Sequence, residues 1–412
     1  MITKNLKRVG LLWSVYLSLF FLGSELIYRA YRYQMLKRGE LSFLWVEKPI
    51  YQFDPQSGFK YLPHRNLEAH WINSNDKVER VNRLHFNLSG QSSRKEPLQA
   101  KNGIKILRIA VLGDSLSACI HNDIAWPDLL EEKLNADTHL LSQLGVHRIS
   151  VLNFSKDGIG LEQFPAILKN ETLAFHPDLI LANFITADIY RRFIWRKTIN
   201  LKHSHLPYQV VLNCTSLPAA LSNPNCFFAG VVSADRATFG RGEVRKIIRR
   251  EIATELEARM DWFSPYPEFL SFLLRGKLEE AMGRNPFHPK SPTYETRESS
   301  LQASANAIRE IQSTGIPTLF LHLPVYWEMI YGKIPKLALE LKERVPGVEW
   351  TAMLDYLPPR YDKEDVNRWT LYPVDMHLSN SGAQMYAESV HQLLLQRFSK
   401  KIRIATTDRN KN

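Results

Sequence analysis

Three short apolar runs in the middle of the chain predict the fold. Lys105–Leu112, Ile149–Phe154 and Pro177–Phe184 are rich in Ile, Val, Leu and Phe, and the last has the unbroken apolar character of a strand buried on both faces. Helical stretches separate them. One starts near Pro127, where proline suits a first turn (PDLLEEKLN), and the other covers Leu161 to Ala174. The same regularity returns later. A helix is predicted over about Glu295 to Ser313, a strand over Pro317–Pro324, a helix over about Lys336 to Arg344, a strand over about Val348 to Leu357, and an amphipathic helix over Gly382 to Ser399. Strands alternating with helices at this spacing predict a doubly wound α/β fold: a three-layer α/β/α sandwich around a parallel sheet.

Two regions break the pattern. Residues 36–103 form a polar lead-in with turn signals such as Asp54-Pro55-Gln56-Ser57-Gly58. Short alternating pieces within it (Lys77 to Asn82) suit strands, and Gly90 to Gly103 reads as a loop. Residues 190 to about 292 read as an insertion carrying a lid or a binding surface, with a charged helix near Arg241 to Met260. Within it Phe193, Trp195 and Arg196 suit stacking and pairing with a sugar, and equally suit a basic helix with an aromatic core face. The organisation expected is an anchor over 1–35, the lead-in over 36–103, an α/β domain over 104–400 interrupted at 190–292, and a basic tail over 401–412.

The anchor is the apolar run Val9 to Tyr28 (VGLLWSVYLSLFFLGSELIY), whose single charge is Glu25. That length crosses a bilayer as a helix. No small-x-small site follows, so an uncleaved anchor is expected. Lys4, Lys7 and Arg8 precede it and Arg29, Arg32, Lys37 and Arg38 follow, so flanking charge barely sets the orientation. The usual N-inside preference of a first hydrophobic helix puts the rest of the chain outside the cytoplasm. The three cysteines fit that placement: Cys214 and Cys226 bracket a Pro/Asn/Ser-rich segment, as a small disulfide loop would, and Cys119 is left to pack as a small apolar residue.

At 412 residues, with 44% hydrophobic and 23% charged residues, the chain has a globular composition. The formal net charge of +11 is concentrated at the termini. A basic balance suits nucleic acid, anionic lipid or acidic polysaccharide. The chain has no zinc-finger or RNA-recognition signature, which argues against nucleic acid, and no Cys/His spacing for structural zinc. No cofactor motif is present.

The candidate chemistry lies at two strand ends. The first strand runs into Gly113-Asp114-Ser115-Leu116-Ser117, and Asp375-Met376-His377 precedes the last helix. The serine hydroxyl needs an adjacent base, and a histidine oriented by an aspartate supplies one. With Gly158 after the second strand, these blocks make residues 104 to 398 resemble the SGNH/GDSL hydrolase superfamily, in its membrane-anchored extracytoplasmic form. The resemblance implies a flavodoxin-like sheet and a Ser115–His377–Asp375 triad, with the backbone N–H groups of Ser115 and Gly158 as oxyanion donors. It implies ester hydrolysis or acyl transfer on an acyl ester, with O-acetyl groups of a cell-surface polysaccharide as the expected substrate, beside the machinery that makes it, at the periplasmic face of an inner membrane. Two departures stand out. Where members have Gly-x-Asn-Asp after the third strand, this chain has Ile185-Thr186-Ala187-Asp188, so the oxyanion asparagine is Ala187. The aspartate sits two residues before the histidine, where many members have three. Asn183, Thr186, Asp114 and Asp188 are the site-adjacent candidates, with Asp188 expected to hold a loop or pair with Arg191 or Arg192. Two other readings stay open: a degenerate site serving as a binding or scaffold component of polysaccharide assembly, and a cytoplasm-facing lipid esterase on an inverted anchor.

Overall fold

The computed structural model describes all residues except 1, 39–42, 73–77, 99–102, 201–207, 223–225, 235–268, 270–295, 373–375 and 410–412. The predicted helix near Arg241 to Met260 and the residue Asp375 therefore lie outside the described residues.

In chain order, the described elements begin with the long helix α1 (Ile2–Arg38) and five strands, β1 (Phe43–Val46), β2 (Tyr51–Asp54), β3 (Gly58–Tyr61), β4 (Arg65–Ile72) and β5 (Val78–Phe86). The first α/β units follow: β6 (Ile106–Leu112), α2 (Ser115–Ala118), α3 (Trp126–Ala136), α4 (Thr138–Leu144), β7 (Arg148–Asn153), α5 (Phe164–Ile167) and β8 (Leu179–Phe184). The insertion contributes β9 (Trp195–Asn200), β10 (Gln209–Cys214), α6 (Leu217–Ser222) and β11 (Cys226–Ser233). The remainder is α7 (Arg297–Gln312), β12 (Thr318–His322), α8 (Tyr326–Tyr331), α9 (Lys336–Arg344), β13 (Trp350–Ala352), α10 (Lys363–Trp369) and α11 (Asn380–Arg409).

The central sheet has the order β13-β12-β8-β6-β7, every pair parallel. This is the doubly wound order whose switch point falls between the first and third strands, where such sheets build their sites. Side chains alternate across it. Ile109, Val111, Leu179, Leu181, Leu319 and Leu321 join one core with Trp126 and Leu130 of α3 and Tyr386 and Val390 of α11. Ala110, Leu112, Ile180, Ala182 and Phe320 join the other with Leu301 and Ile308 of α7 and Leu337 of α9. The parallel sheet flanked by helices on both faces is as the sequence predicts.

The lead-in and the insertion share a second sheet, of order β5-β4-β1-β11-β10-β9. It is antiparallel except where β1 meets β11. Leu44, Leu67, Leu84, Val211 and Val231 of this sheet belong to the same core as Leu112 and Phe184, so apolar packing runs without a break from one sheet into the other. A register shift between Val211 and Leu212 bulges β11 at Ala229 and Gly230, and both residues line the cavity described below. Cys214 and Cys226 face each other across β10 and β11 and are disulfide-bonded. Cys119 is buried among apolar neighbours, and burial pushes its thiol up to about 12.

Two predicted elements differ. The Leu161–Ala174 helix is composite: a 3-10 turn, α5, a π turn over Leu168–Thr172 and a second 3-10 turn. Pro165 has no N–H to give to the Leu161 carbonyl, so the first turn cannot be regular α-helix. The predicted strand to Leu357 stops at Ala352, where the chain turns into a 3-10 helix over Met353–Tyr356. At the N-terminus, Val9–Tyr31 of α1 is long and apolar enough to cross a membrane, and its large apolar side chains, Leu11 to Leu22 among them, are exposed.

Candidate active site

The serine loop is built for close approach. A side chain on Gly113 would come within 2.7 Å of the Ser117 hydroxyl oxygen and 3.0 Å of that of Ser155, so only glycine fits between the two loops. Asp114 then caps α2, its Oδ1 accepting from the Leu116 N–H at 3.0 Å. Ser115 is buried to 6% exposure, and its Oγ lies 2.8 Å from His377 Nε2. His377 is brought there by a loop pinned to α10: the Leu371 N–H donates to the His377 carbonyl at 2.9 Å, and Thr370 and Leu378 form a β-bridge. The two residues that the sequence puts at opposite ends of the domain therefore meet.

The second loop follows β7 and is tied to the first by the Lys156 N–H, which donates to the Gly113 carbonyl at 2.9 Å. Asn153 is fully buried; its Nδ2 donates to the Ser92 and Ser117 carbonyls at 3.0 and 2.9 Å. Gly158 has φ +73, left-handed geometry that disfavours other residues, and an added Cβ would lie 2.7 Å from Arg196 Nη2.

The lead-in and insertion grip this loop in a buried cage. Asp157 accepts from the Tyr51 and Tyr61 hydroxyls at 2.9 and 2.5 Å, and its carboxylate pairs with Arg196 Nη1 at 2.5 Å. Arg196 Nη2 donates to the Asp157 backbone carbonyl at 2.8 Å. The guanidinium sits 4.4 Å from the ring centres of both Tyr51 and Phe59. Burial drives both tyrosines well above their ordinary range, and Asp157 adds to the rise, so both stay neutral donors. Lys156 is also buried, its Nζ donating to the Phe59 carbonyl at 2.6 Å and pairing with Glu171 at 2.5 Å.

Asp114 and Asp188 share one cation. Arg191 Nη1 lies 3.2 Å from Asp114 Oδ2 and 2.9 Å from Asp188 Oδ1, while Asp188 Oδ2 accepts from the Ile185 N–H at 3.0 Å. Burial raises both carboxyls above the usual range, Asp188 further because Asp114 is close, and Arg191 pulls both back. Asp188 thus holds its loop and pairs with Arg191.

The other candidates point elsewhere. Asn183 is fully buried, with its Nδ2 3.5 Å from the Ser117 hydroxyl. The Thr186 hydroxyl is shared between His322 Nε2 at 3.0 Å and Glu328 Oε1 at 3.1 Å. Burial there pushes His322 down to about 4 and Glu328 up to about 7. Ala187 packs against the apolar core on the α3 side.

Ser115, Gly158 and His377 open into one cavity of about 510 Å³. Phe43, Leu44, Trp71 and Ile72 from the lead-in and Ala229 to Val231 from the insertion form its apolar wall, with Arg80, Arg191 and Arg196 also on its lining. Against His377 lies His121, ring centres 3.7 Å apart and nearly parallel at 14°, and Trp71 stacks on the far face of the pair at 4.3 Å. Trp71, Tyr51 and Tyr61 carry no local motif, so sequence reasoning passed over them. Of the predicted sugar-stacking group, Arg196 is buried in the cage, and Phe193 stacks on Trp195, whose Nε1 donates to the Pro55 carbonyl. Among the described residues no three His, Cys, Asp or Glu side chains converge as a metal site.

Residues 109–222 match the model of the GDSL-like lipase/acylhydrolase family. No curated protein sequence matches the chain. Among solved structures, a lipase/acylhydrolase from Enterococcus faecalis is 12% identical, with 71% of this chain and 96% of that one covered, at a TM-score of 0.33. A two-domain esterase active on acetylated mannans is 10% identical, with 73% and 50% covered, at 0.34. A GDSL-like lipase from Parabacteroides merdae is 12% identical, with 70% and 96% covered, at 0.32. The family match runs from the serine strand through the glycine loop and the Asp188 turn into the insertion, and over that stretch this chain is similar to the GDSL-like lipase/acylhydrolase family.

Proposed function

We propose that this chain is a serine esterase or acyltransferase, with Ser115 as nucleophile, His377 as general base and Asp375 as the residue that orients it. The observation that carries the reading is the 2.8 Å contact between Ser115 Oγ and His377 Nε2 at the lining of the cavity. Ser115 Oγ adds to the ester carbonyl carbon as its proton passes to His377 Nε2. The carbonyl π pair moves onto oxygen, facing the Ser115 and Gly158 N–H groups. Collapse of the tetrahedral intermediate expels the alcohol, which takes the proton from His377 and leaves acyl-Ser115. Water then completes hydrolysis, or a sugar hydroxyl completes transfer, by the same steps in reverse.

The substrate in this reading is an O-acetyl ester on a surface glycan, met outside the cytoplasm by a domain tethered through α1. The disulfide supports an oxidising compartment and the length of Val9–Tyr31 supports the tether. A second reading, a degenerate domain that binds a glycan or an assembly partner, is favoured by Ala187 in the asparagine position. Hydrolysis of p-nitrophenyl acetate by the full chain separates the two. The esterase reading expects turnover that falls at least about a thousandfold in Ser115→Ala and in His377→Ala. Turnover equal in all three proteins contradicts it, and no turnover by folded wild type favours the binding domain.

A further inference from the structure

We propose that Arg196 is a positioning residue of the oxyanion hole, holding and polarising the Asp157–Gly158 peptide so that the Gly158 N–H supplies stabilisation that an asparagine at position 187 would otherwise share. The proposal rests on the serine-esterase reading above.

The argument begins with the peptide itself. The Asp157 carbonyl and the Gly158 N–H belong to one planar, conjugated unit. A cation hydrogen-bonded to the oxygen draws density from the nitrogen, which makes the N–H a stronger donor. Arg196 Nη2 makes that contact at 2.8 Å, in a site where the side chain is 4% exposed. The low dielectric there preserves the effect. Gly158 lines the same cavity as Ser115 and His377, and Asp157 and Arg196 reach that lining beside it. Its missing side chain is what lets Arg196 approach, since a Cβ would stand 2.7 Å from Nη2.

The guanidinium is also fixed. It lies against the Tyr51 and Phe59 rings, which meet edge to face, and is paired with the Asp157 carboxylate. A planar, preorganised donor costs nothing to reorient as charge develops on the substrate oxygen. The parts come from three segments: Arg196 from β9 of the insertion, the aromatic rings from β2 and β3 of the lead-in, and the peptide from the α/β core. Ala187, meanwhile, brings no polar group to the cavity.

The test uses the full chain in detergent with p-nitrophenyl acetate and a fluorophosphonate probe, comparing wild type, Arg196→Met, Arg196→Lys and Ser115→Ala. In Arg196→Met, kcat and the fluorophosphonate inactivation rate are expected to fall together by about 30-fold or more, with KM within about threefold. Arg196→Lys keeps the charge but not the fork, and about a tenfold loss in kcat is expected at unchanged KM. A folded Arg196→Met with wild-type kcat overturns the proposal. So does a loss spread equally over kcat and KM that tracks the melting temperature, the mark of a merely structural pin. If Arg196→Met does not fold, wild-type kcat in Arg196→Lys overturns it. Turnover persisting in Ser115→Ala removes the esterase reading and this proposal with it, whereas an inert Ser115→Ala beside a fully active Arg196→Met removes this proposal alone.

Discussion

At the scale of single residues, the rings beside His377 have consequences that can be measured. An imidazolium forming on His377 would lie over the face of His121, which is itself backed by Trp71, so that His121 fixes the ring plane. His121→Ala is expected to lower kcat about tenfold, as the ring loses its support, and His121→Phe to recover most of it; equal kcat in both variants and wild type contradicts this. The Thr186 cluster makes a separate prediction about stability. Buried His322 titrates near 4 against an ordinary value of 6.5, so its contribution is complete above 6.5 and is lost as pH falls toward 4. Glu328 titrates near 7 against 4.5, so its contribution is complete below 4.5 and is lost as pH rises through 7. The two slopes oppose one another between pH 4.5 and 6.5 and leave the wild type nearly flat there. In Glu328→Gln only the histidine slope remains. Urea unfolding should show that variant gaining up to ~3 kcal/mol on wild type at pH 8 and losing stability steadily from 6.5 toward 4. A profile parallel to wild type contradicts the assignment.

At the scale of elements, what the sequence makes legible is what local pattern encodes. The strands ending at Leu112, Asn153 and Phe184 are each marked by one apolar run, and Ser115 and His377 by short motifs at strand and helix boundaries. The pairing of β1 with β11, by contrast, joins segments far apart in the chain, and no local pattern in either announces it. For the same reason the Asp157–Arg196–Tyr51–Tyr61 cage has no signature: its contacts arise only from the convergence of segments far apart in the chain. The Leu161–Ala174 stretch shows the opposite limit, since its apolar spacing is helical but Pro165 and the wide turn after Ile167 break the regular ladder. The disulfide closing β10 onto β11 is a further element-scale feature. Replacing Cys214 and Cys226 by serine is expected to cost about 3 kcal/mol by loop-closure entropy, read from the urea midpoint of the purified protein. An unchanged midpoint would show that the hairpin needs no staple.

At the scale of the molecule, two sheets share one core, and the cavity lies where they meet. The α/β domain supplies Ser115, Gly158 and His377, and the second sheet supplies the apolar wall of the cavity beside them. On this account the lead-in and insertion are parts of the catalytic unit, so deleting residues 43–86 should abolish turnover even where a folded α/β core survives. The proposed tether makes its own prediction: a reporter fused after Asn412 and active only outside the cytoplasm should be active, and an inactive fusion would contradict the proposed orientation. The central claim, that Ser115 is an activated nucleophile, is tested most directly by fluorophosphonate labelling of the full chain. Stoichiometric labelling of wild type, absent in both Ser115→Ala and His377→Ala, is the result the account predicts. Folded wild-type protein that takes no label, or label that survives in Ser115→Ala, would contradict it.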